Sequence, residues 1–164
     1  ILLEAGADPT LGAFETERYI SSSGPGVTPL MVAAGVGRER GVPLTGKNRF
    51  LDAAKLFVSL GGDVNRVGPG GRTALHGAAY LGDLEMIRFL AANGADLEAK
   101  DWYGQSAMSI VSGDPGGFTN RAGPGGTSDN SLREEPPIRK DVIALLLELG
   151  VAPYDGPIAD RSGL

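Results

Sequence analysis

The chain of 164 residues is 41% hydrophobic and 21% charged, enough to bury a core as one domain or as a short row of stacked units. It has no cysteine, which excludes a disulfide framework, a thiolate zinc site and a cysteine nucleophile, and suits cytoplasm and periplasm alike, so the compartment stays open. A net charge of -5 and a pI near 4.9 argue against nucleic acid as a partner, and no apolar run approaches the ~20 residues that would insert in a membrane.

In chain order, Ile1-Leu2-Leu3-Glu4-Ala5-Gly6 reads as the last turn of a helix with no start ahead of it, the pattern of a fragment of a longer chain. The same phrase, an apolar helix end followed by glycine and a turn, returns at Phe57-Val58-Ser59-Leu60-Gly61, Leu90-Ala91-Ala92-Asn93-Gly94 and Leu146-Leu147-Glu148-Leu149-Gly150. A second phrase opens each unit: Gly26-Val27-Thr28-Pro29-Leu30, Gly71-Arg72-Thr73-Ala74-Leu75 and Gly104-Gln105-Ser106-Ala107-Met108. Thr28, Thr73 and Ser106 suit helix N-caps, Pro29 suits a first helical position, and Gly94 suits the left-handed residue that ends a helix. Gly71 and Gly104 lie 33 residues apart, with two helical stretches between them separated by Gly82-Asp83. In the second stretches, Leu51, Ala54 and Phe57 fall in register with Leu84, Ile87 and Leu90 and with Ile143, Leu146 and Leu149, each set on one helix face.

These residues resemble the ankyrin repeat. The fullest copy, residues 71–103, has Thr73-Ala74-Leu75-His76, Ala78-Ala79, Gly82 and Gly94-Ala95-Asp96. The copy from Gly26 keeps Thr28-Pro29-Leu30, Ala33-Ala34 and Gly61-Gly62-Asp63 but has Met31 in the histidine place; the copy from Gly104 has Ser109 there and Val111-Ser112 for the alanine pair. The resemblance implies an all-α solenoid of stacked helix-turn-helix units joined by short hairpin-like loops, in which no unit buries its apolar face alone. The divided arrangement expected is a truncated repeat end with an extended loop over 1–25, a repeat over 26–70, one over 71–103, a degenerate one over 104–153, and a tail over 154–164. The glycine-rich insertions also look like those of bacterial ankyrin proteins.

From opening to closing glycine the copies measure 35, 23 and 46 residues, so the first and third carry surpluses of 12 and 23 between their two helices. The insertions are placed over 38–49 and 115–137. The second is rich in Gly, Pro, Ser and Asn, is expected to be mobile, and reads either as a tolerated insertion or as a binding element.

Several apparent chemical motifs have plainer readings. Gly41-Val42-Pro43-Leu44-Thr45-Gly46-Lys47 follows a phosphate-binding loop, but Asn48 replaces the magnesium-holding Ser or Thr and no strand precedes it. His76 is the sole histidine, and the resemblance implies a structural imidazole that bonds loop backbone and ties one unit to the next. Asp8, Asp63 and Asp96 recur once per unit, which spreads them as turn formers instead of pairing them as acid and base. No catalytic residue, metal ligand or cofactor is expected. The resemblance implies a monomeric, non-enzymatic scaffold binding a protein partner on a concave face, with a regulatory or spacer segment of a larger, possibly enzymatic, protein as the alternative. Carried over by position, the outward residues on that face are Arg72, Tyr80, Leu81, Trp102, Tyr103 and Gln105. Trp102, the sole tryptophan, reads either as an interface anchor or as packing along the neighbouring hairpin.

Overall fold

The computed structural model describes residues 26–36, 47–113 and 138–156. Among them are six α-helices: α1 (Pro29–Ala33), α2 (Lys47–Ser59), α3 (Ala74–Leu81), α4 (Leu84–Ala92), α5 (Ala107–Ser112) and α6 (Lys140–Glu148). A single 3-10 turn covers Pro69–Gly71, and no described residue is in a β-strand. The architecture is the helical repeat solenoid that the sequence predicts.

Short polar side chains start the helices. Thr28 Oγ1 accepts the Met31 N–H at 3.2 Å, with Pro29 in the first turn of α1. Asp83 Oδ1 accepts the Met86 N–H at 3.1 Å and opens α4. Ser106 and Ser109 bond each other reciprocally, N–H to hydroxyl, at 3.1 and 3.3 Å, so the degenerate copy still nucleates a helix. At the far ends, the chain turns through glycines with φ of +87° at Gly61, +83° at Gly94 and +89° at Gly150, a conformation that costs other residues about 1 kcal/mol or more.

The helices pair as α1 with α2, α3 with α4, and α5 with α6, and the pairs stack by contacts of α1 with α3, α3 with α5, and α4 with α6. Ala54, Ile87, Leu90 and Leu146 are fully buried in the second-helix layer, with Leu51, Phe57, Leu84, Ile143 and Leu149 packed half-buried against them. In the first-helix layer Leu30, Leu75 and Met108 face the core at matching places, and Ala34, Ala78 and Ala79 keep the spacing small. Contact is closest at Gly77, where an added Cβ would lie 2.7 Å from the Val36 nitrogen and 2.9 Å from the Ala34 carbonyl oxygen.

One boundary differs from the sequence reading. Helix α2 begins at Lys47, so residues 47–49 belong to it and not to the insertion placed over 38–49; past Gly46 nothing in Lys47-Asn48-Arg49 breaks a helix. Lys47 therefore stands in a first helical turn, while 41–46 of the phosphate-loop-like phrase lie outside the described residues. The segment 1–25 with Asp8, the insertion 115–137 and the tail beyond 156 also lie outside them. Where the chain re-enters the stack, the Arg139 N–H donates to the Val111 carbonyl at 3.0 Å, and the Arg139 guanidinium lies across Gly82 at the end of α3. That position suits a cation, because the last carbonyls of a helix carry partial negative charge.

Substituting Gly77 separates two effects of opposite sign. Helix propensity alone favours alanine by about 1 kcal/mol, whereas the contact with the 34–36 backbone requires α1 and α3 to separate. Gly77→Ala is expected to lose about 1–3 kcal/mol, as overpacking does; chemical denaturation measures it, and a stabilised variant would show that the helices are less closely apposed.

Candidate protein-interaction surface

Two loops of one design join the units. In residues 68–72 the Gly68 N–H donates to the Arg72 carbonyl at 2.8 Å and the Gly71 N–H to the Gly68 carbonyl at 3.1 Å. In residues 101–105 the Asp101 N–H donates to the Gln105 carbonyl at 2.9 Å and the Gly104 N–H to the Asp101 carbonyl at 3.0 Å. The loops are joined by the Trp102 N–H, which donates to the Gly70 carbonyl at 2.9 Å. Gly71 permits this approach: its φ is +77°, and an added Cβ would fall 2.6 Å from the Trp102 nitrogen and 2.4 Å from the indole Cδ1.

Asp101 organises the second loop from inside. Its buried carboxylate accepts the Tyr103 and Gln105 N–H groups on Oδ1 at 2.8 and 3.0 Å, and Oδ2 stands 3.8 Å from Arg72 Nε. The Asp-x-x-Gly pattern of residues 101–104 is a turn signal that marks such a carboxylate in sequence, although its burial is not visible there. A parallel row of bonds runs along the helix-exit loops. Asp63 Oδ1 and Asp96 Oδ1 accept the N–H groups of Asn65 and Glu98, as turn formers do. The Asn65 amide donates to the Gly94 carbonyl at 2.9 Å and accepts the Asp96 N–H at 2.8 Å, and one unit later Glu98 Oε1 accepts the Ala152 N–H at 3.4 Å.

His76 is fully buried between helix and loop. Its Nδ1 accepts the Thr73 N–H at 3.1 Å, with Thr73 Oγ1 2.9 Å away, and its Nε2 lies 3.0 Å from the Gln105 carbonyl. Those partners select the neutral ring with its proton on Nε2, which donates to that carbonyl. Burial pushes the imidazole pKa below its ordinary value, opposed by the Gln105 carbonyl and Asp101 and reinforced by Arg72. Both ring nitrogens are thus engaged in structure.

The residues placed outward by position divide into two groups. Trp102 is 77% exposed: its backbone and one ring edge rest on the preceding loop while most of the indole faces outward. Tyr103 and Tyr80 are half-buried, and Leu81 is half-buried with its side chain over Gly35 of the preceding unit. Gln105 is not outward: only 1% of it is exposed, beneath the loop that Asp101 closes. Arg72 is also drawn in, its side chain 14% exposed beside the carboxylate. Burial lowers the Arg72 pKa, and Asp101 first, then Tyr103 and Tyr80, oppose the shift, so these four side chains form one cluster. Among the described residues no group of three or more His, Asp or Glu side chains is placed to hold a metal, and no helix is long and apolar enough to cross a membrane.

Stacked helix pairs with a bonded loop at each junction define a helix-turn-helix repeat protein. A family model for ankyrin repeats, three copies, matches residues 1–101, and the chain belongs to the ankyrin-repeat family. Ankyrin repeats are, as a class, protein–protein interaction modules. Myotrophin of Xenopus tropicalis is 50% identical over 50 residues, covering 30% of this chain and 42% of that protein. The Notch-regulated ankyrin repeat-containing proteins of zebrafish (protein A) and human are 41% identical over 49 residues, 30% of this chain and 44% and 43% of theirs. The matched stretch thus spans less than half the length of these curated relatives. All three are vertebrate proteins, and they leave the bacterial resemblance of the insertions without support.

Gln105 carries a stability prediction. Its amide nitrogen and oxygen are buried with no hydrogen-bond partner among the described residues, and an unpaired buried polar group costs about 1–3 kcal/mol. Gln105→Met keeps the length and removes that cost. It is expected to leave the thermal midpoint unchanged or raise it, and a fall of several degrees in calorimetry would show that the amide is bonded.

Proposed function

We propose that this chain is a non-enzymatic scaffold, monomeric by itself, that binds a protein partner through the side of the stack where the inter-unit loops project. Contact centres on Trp102 and Tyr103, with Tyr80 and Leu81 alongside. Arg72 and Gln105 act from beneath, Arg72 by bracing the Asp101 carboxylate and Gln105 through its backbone bonds to Asp101 and His76.

The observation that carries this reading is the exposure of Trp102 on a backbone that is fixed from both sides. An indole left 77% open gains little from folding, whereas a rigid aromatic on an ordered loop contributes contact area at small entropic cost when a partner covers it. Support for a non-enzymatic role comes from His76: the sole histidine has both nitrogens committed, so no imidazole is free to move a proton in catalysis.

The test is affinity capture from the source cells with the intact chain as bait, beside a Trp102→Ala/Tyr103→Ala double variant of matched thermal stability. Retention of the captured partner is expected to fall about tenfold or more, the usual scale for losing aromatic anchors. Equal retention by both baits would remove this loop from the contact.

A further inference from the structure

We infer that the His76 junction is an acid-operated release: uptake of one proton at His76 uncouples the loop 68–72, and with it the Trp102–Gly70 bond between the loops, from the start of α3 while the helix pairs stay folded. The inference concerns the loops themselves and stands whether or not they contact a partner.

It rests on the direction of the bonds. Neutral His76 accepts the Thr73 N–H on Nδ1 and donates from Nε2 to the Gln105 carbonyl. A proton added to Nδ1 leaves the Nε2 bond in place, because an imidazolium donates from both nitrogens. On the other side it reverses the polarity. Thr73 Oγ1, 2.9 Å away, can turn a lone pair toward the new N–H, but the Thr73 backbone N–H loses its acceptor and faces another donor. The charge then sits on a ring bonded to Thr73, the neighbour of Arg72, and Arg72 is a cation already largely withdrawn from water.

Burial and Arg72 outweigh three counterweights, the Gln105 carbonyl, the Asp101 carboxylate and the Ala99 backbone. Neither α1 (PLMVA) nor α5 (AMSIVS) carries a titratable side chain, and those of α4, Glu85 and Arg88, are exposed. Tyr80 lies on α3 itself, and the loop side contributes Arg72, Tyr103 and Asp101. Among the described residues Asp101 is the only carboxylate near the ring, and it is shared with Arg72 and with two backbone N–H groups. The closed junction therefore holds the ring neutral and binds fewer protons than an open one. By linkage, closure is fully favoured above the ordinary histidine value of about 6.5 and weakens as pH falls below it.

Opening is local because of what each part buries. Thr73 leads back through Arg72 to Gly71 and Gly70, and Gly70 holds the Trp102 N–H. Trp102 is mostly exposed, Lys100 and Gly104 are exposed, and these loops add little apolar burial, whereas the helix pairs bury Leu75, Met86, Ile87, Leu90 and Leu146. Segments with few apolar contacts open at the lowest free energy.

One histidine and one tryptophan make the test direct. In the intact chain, the His76 ring proton shift is followed by NMR, Trp102 by fluorescence and helix content by far-UV circular dichroism as pH is lowered. The expected result is a one-proton transition shared by His76 and Trp102 below about pH 6.5, with the helix signal unchanged across it. His76→Met, which installs the residue type that Met31 places one unit earlier, is expected to abolish the Trp102 step. The inference is overturned by a Trp102 transition that persists in His76→Met, by helix loss coincident with it, or by His76 titrating with no response at Trp102. Should the variant fail to fold, the three signals of the unsubstituted chain still decide.

Discussion

Everything in this stack depends on how closely the first helices approach. Each of α1, α3 and α5 is one or two turns long, too short to be stable alone, and each is held by burying nearly its whole surface against its neighbours. In α3 every residue from Ala74 to Ala79 is buried, and in α5 every residue from Ala107 to Ser112. Alanine and glycine make that possible: at Gly77 backbone meets backbone, and at Ala34, Ala78 and Ala79 a methyl group separates the layers. The second helices are longer and more amphipathic and fill the wider space behind with Leu, Ile and Phe.

Close approach of the helices fixes the loops at both ends of each pair, and the backbone there is satisfied by neighbours in the next unit. Asn65 to Gly94 and Asp96, Glu98 to Ala152, and Trp102 to Gly70 are all bonds between successive units. A loop exposed to water on one side gains order from such bonds even though each adds only about 1 kcal/mol, because the groups on the next unit are already held. The projecting loops are therefore a surface in register with the helices below them.

Much of this was legible in the sequence because the repeat constrains it strongly. Helix starts at Thr28, Thr73 and Ser106 and helix ends at Gly61, Gly94 and Gly150 follow from capping chemistry, and the core triplets follow from a spacing of three. The start of α2 was not legible, since Lys47-Asn48-Arg49 has no capping pattern to separate it from the insertion. On the surface, position in the repeat identified the loop but not which side chains leave it. Arg72 and Gln105 occupy equivalent outward places, yet both turn inward, because Asp101 is buried and draws the guanidinium and the Gln105 backbone toward it. A sequence pattern places the Cα atoms, whereas burial of a long polar side chain is decided by the one carboxylate that it meets.

The place that His76 fills in each of the three units also explains why the repeats differ where they do. In the unit with His76, the ring reaches the next loop, and that loop begins with Asp101. In the preceding unit Met31 holds the same place, fully buried, and the next loop begins with Gly68, where an added Cβ would fall 2.8 Å from the Met31 sulfur. The longer apolar side chain and the missing Cβ are thus one change of volume shared between two units. In the last unit Ser109 Oγ accepts the Ser106 N–H as His76 Nδ1 accepts that of Thr73, but a hydroxyl has no second nitrogen with which to reach onward. Capping of the helix and tying of the next loop are separable tasks. Among the described residues only His76 performs both, so only at this junction does the bond between units pass through an imidazole, whose pKa burial pushes below its ordinary value.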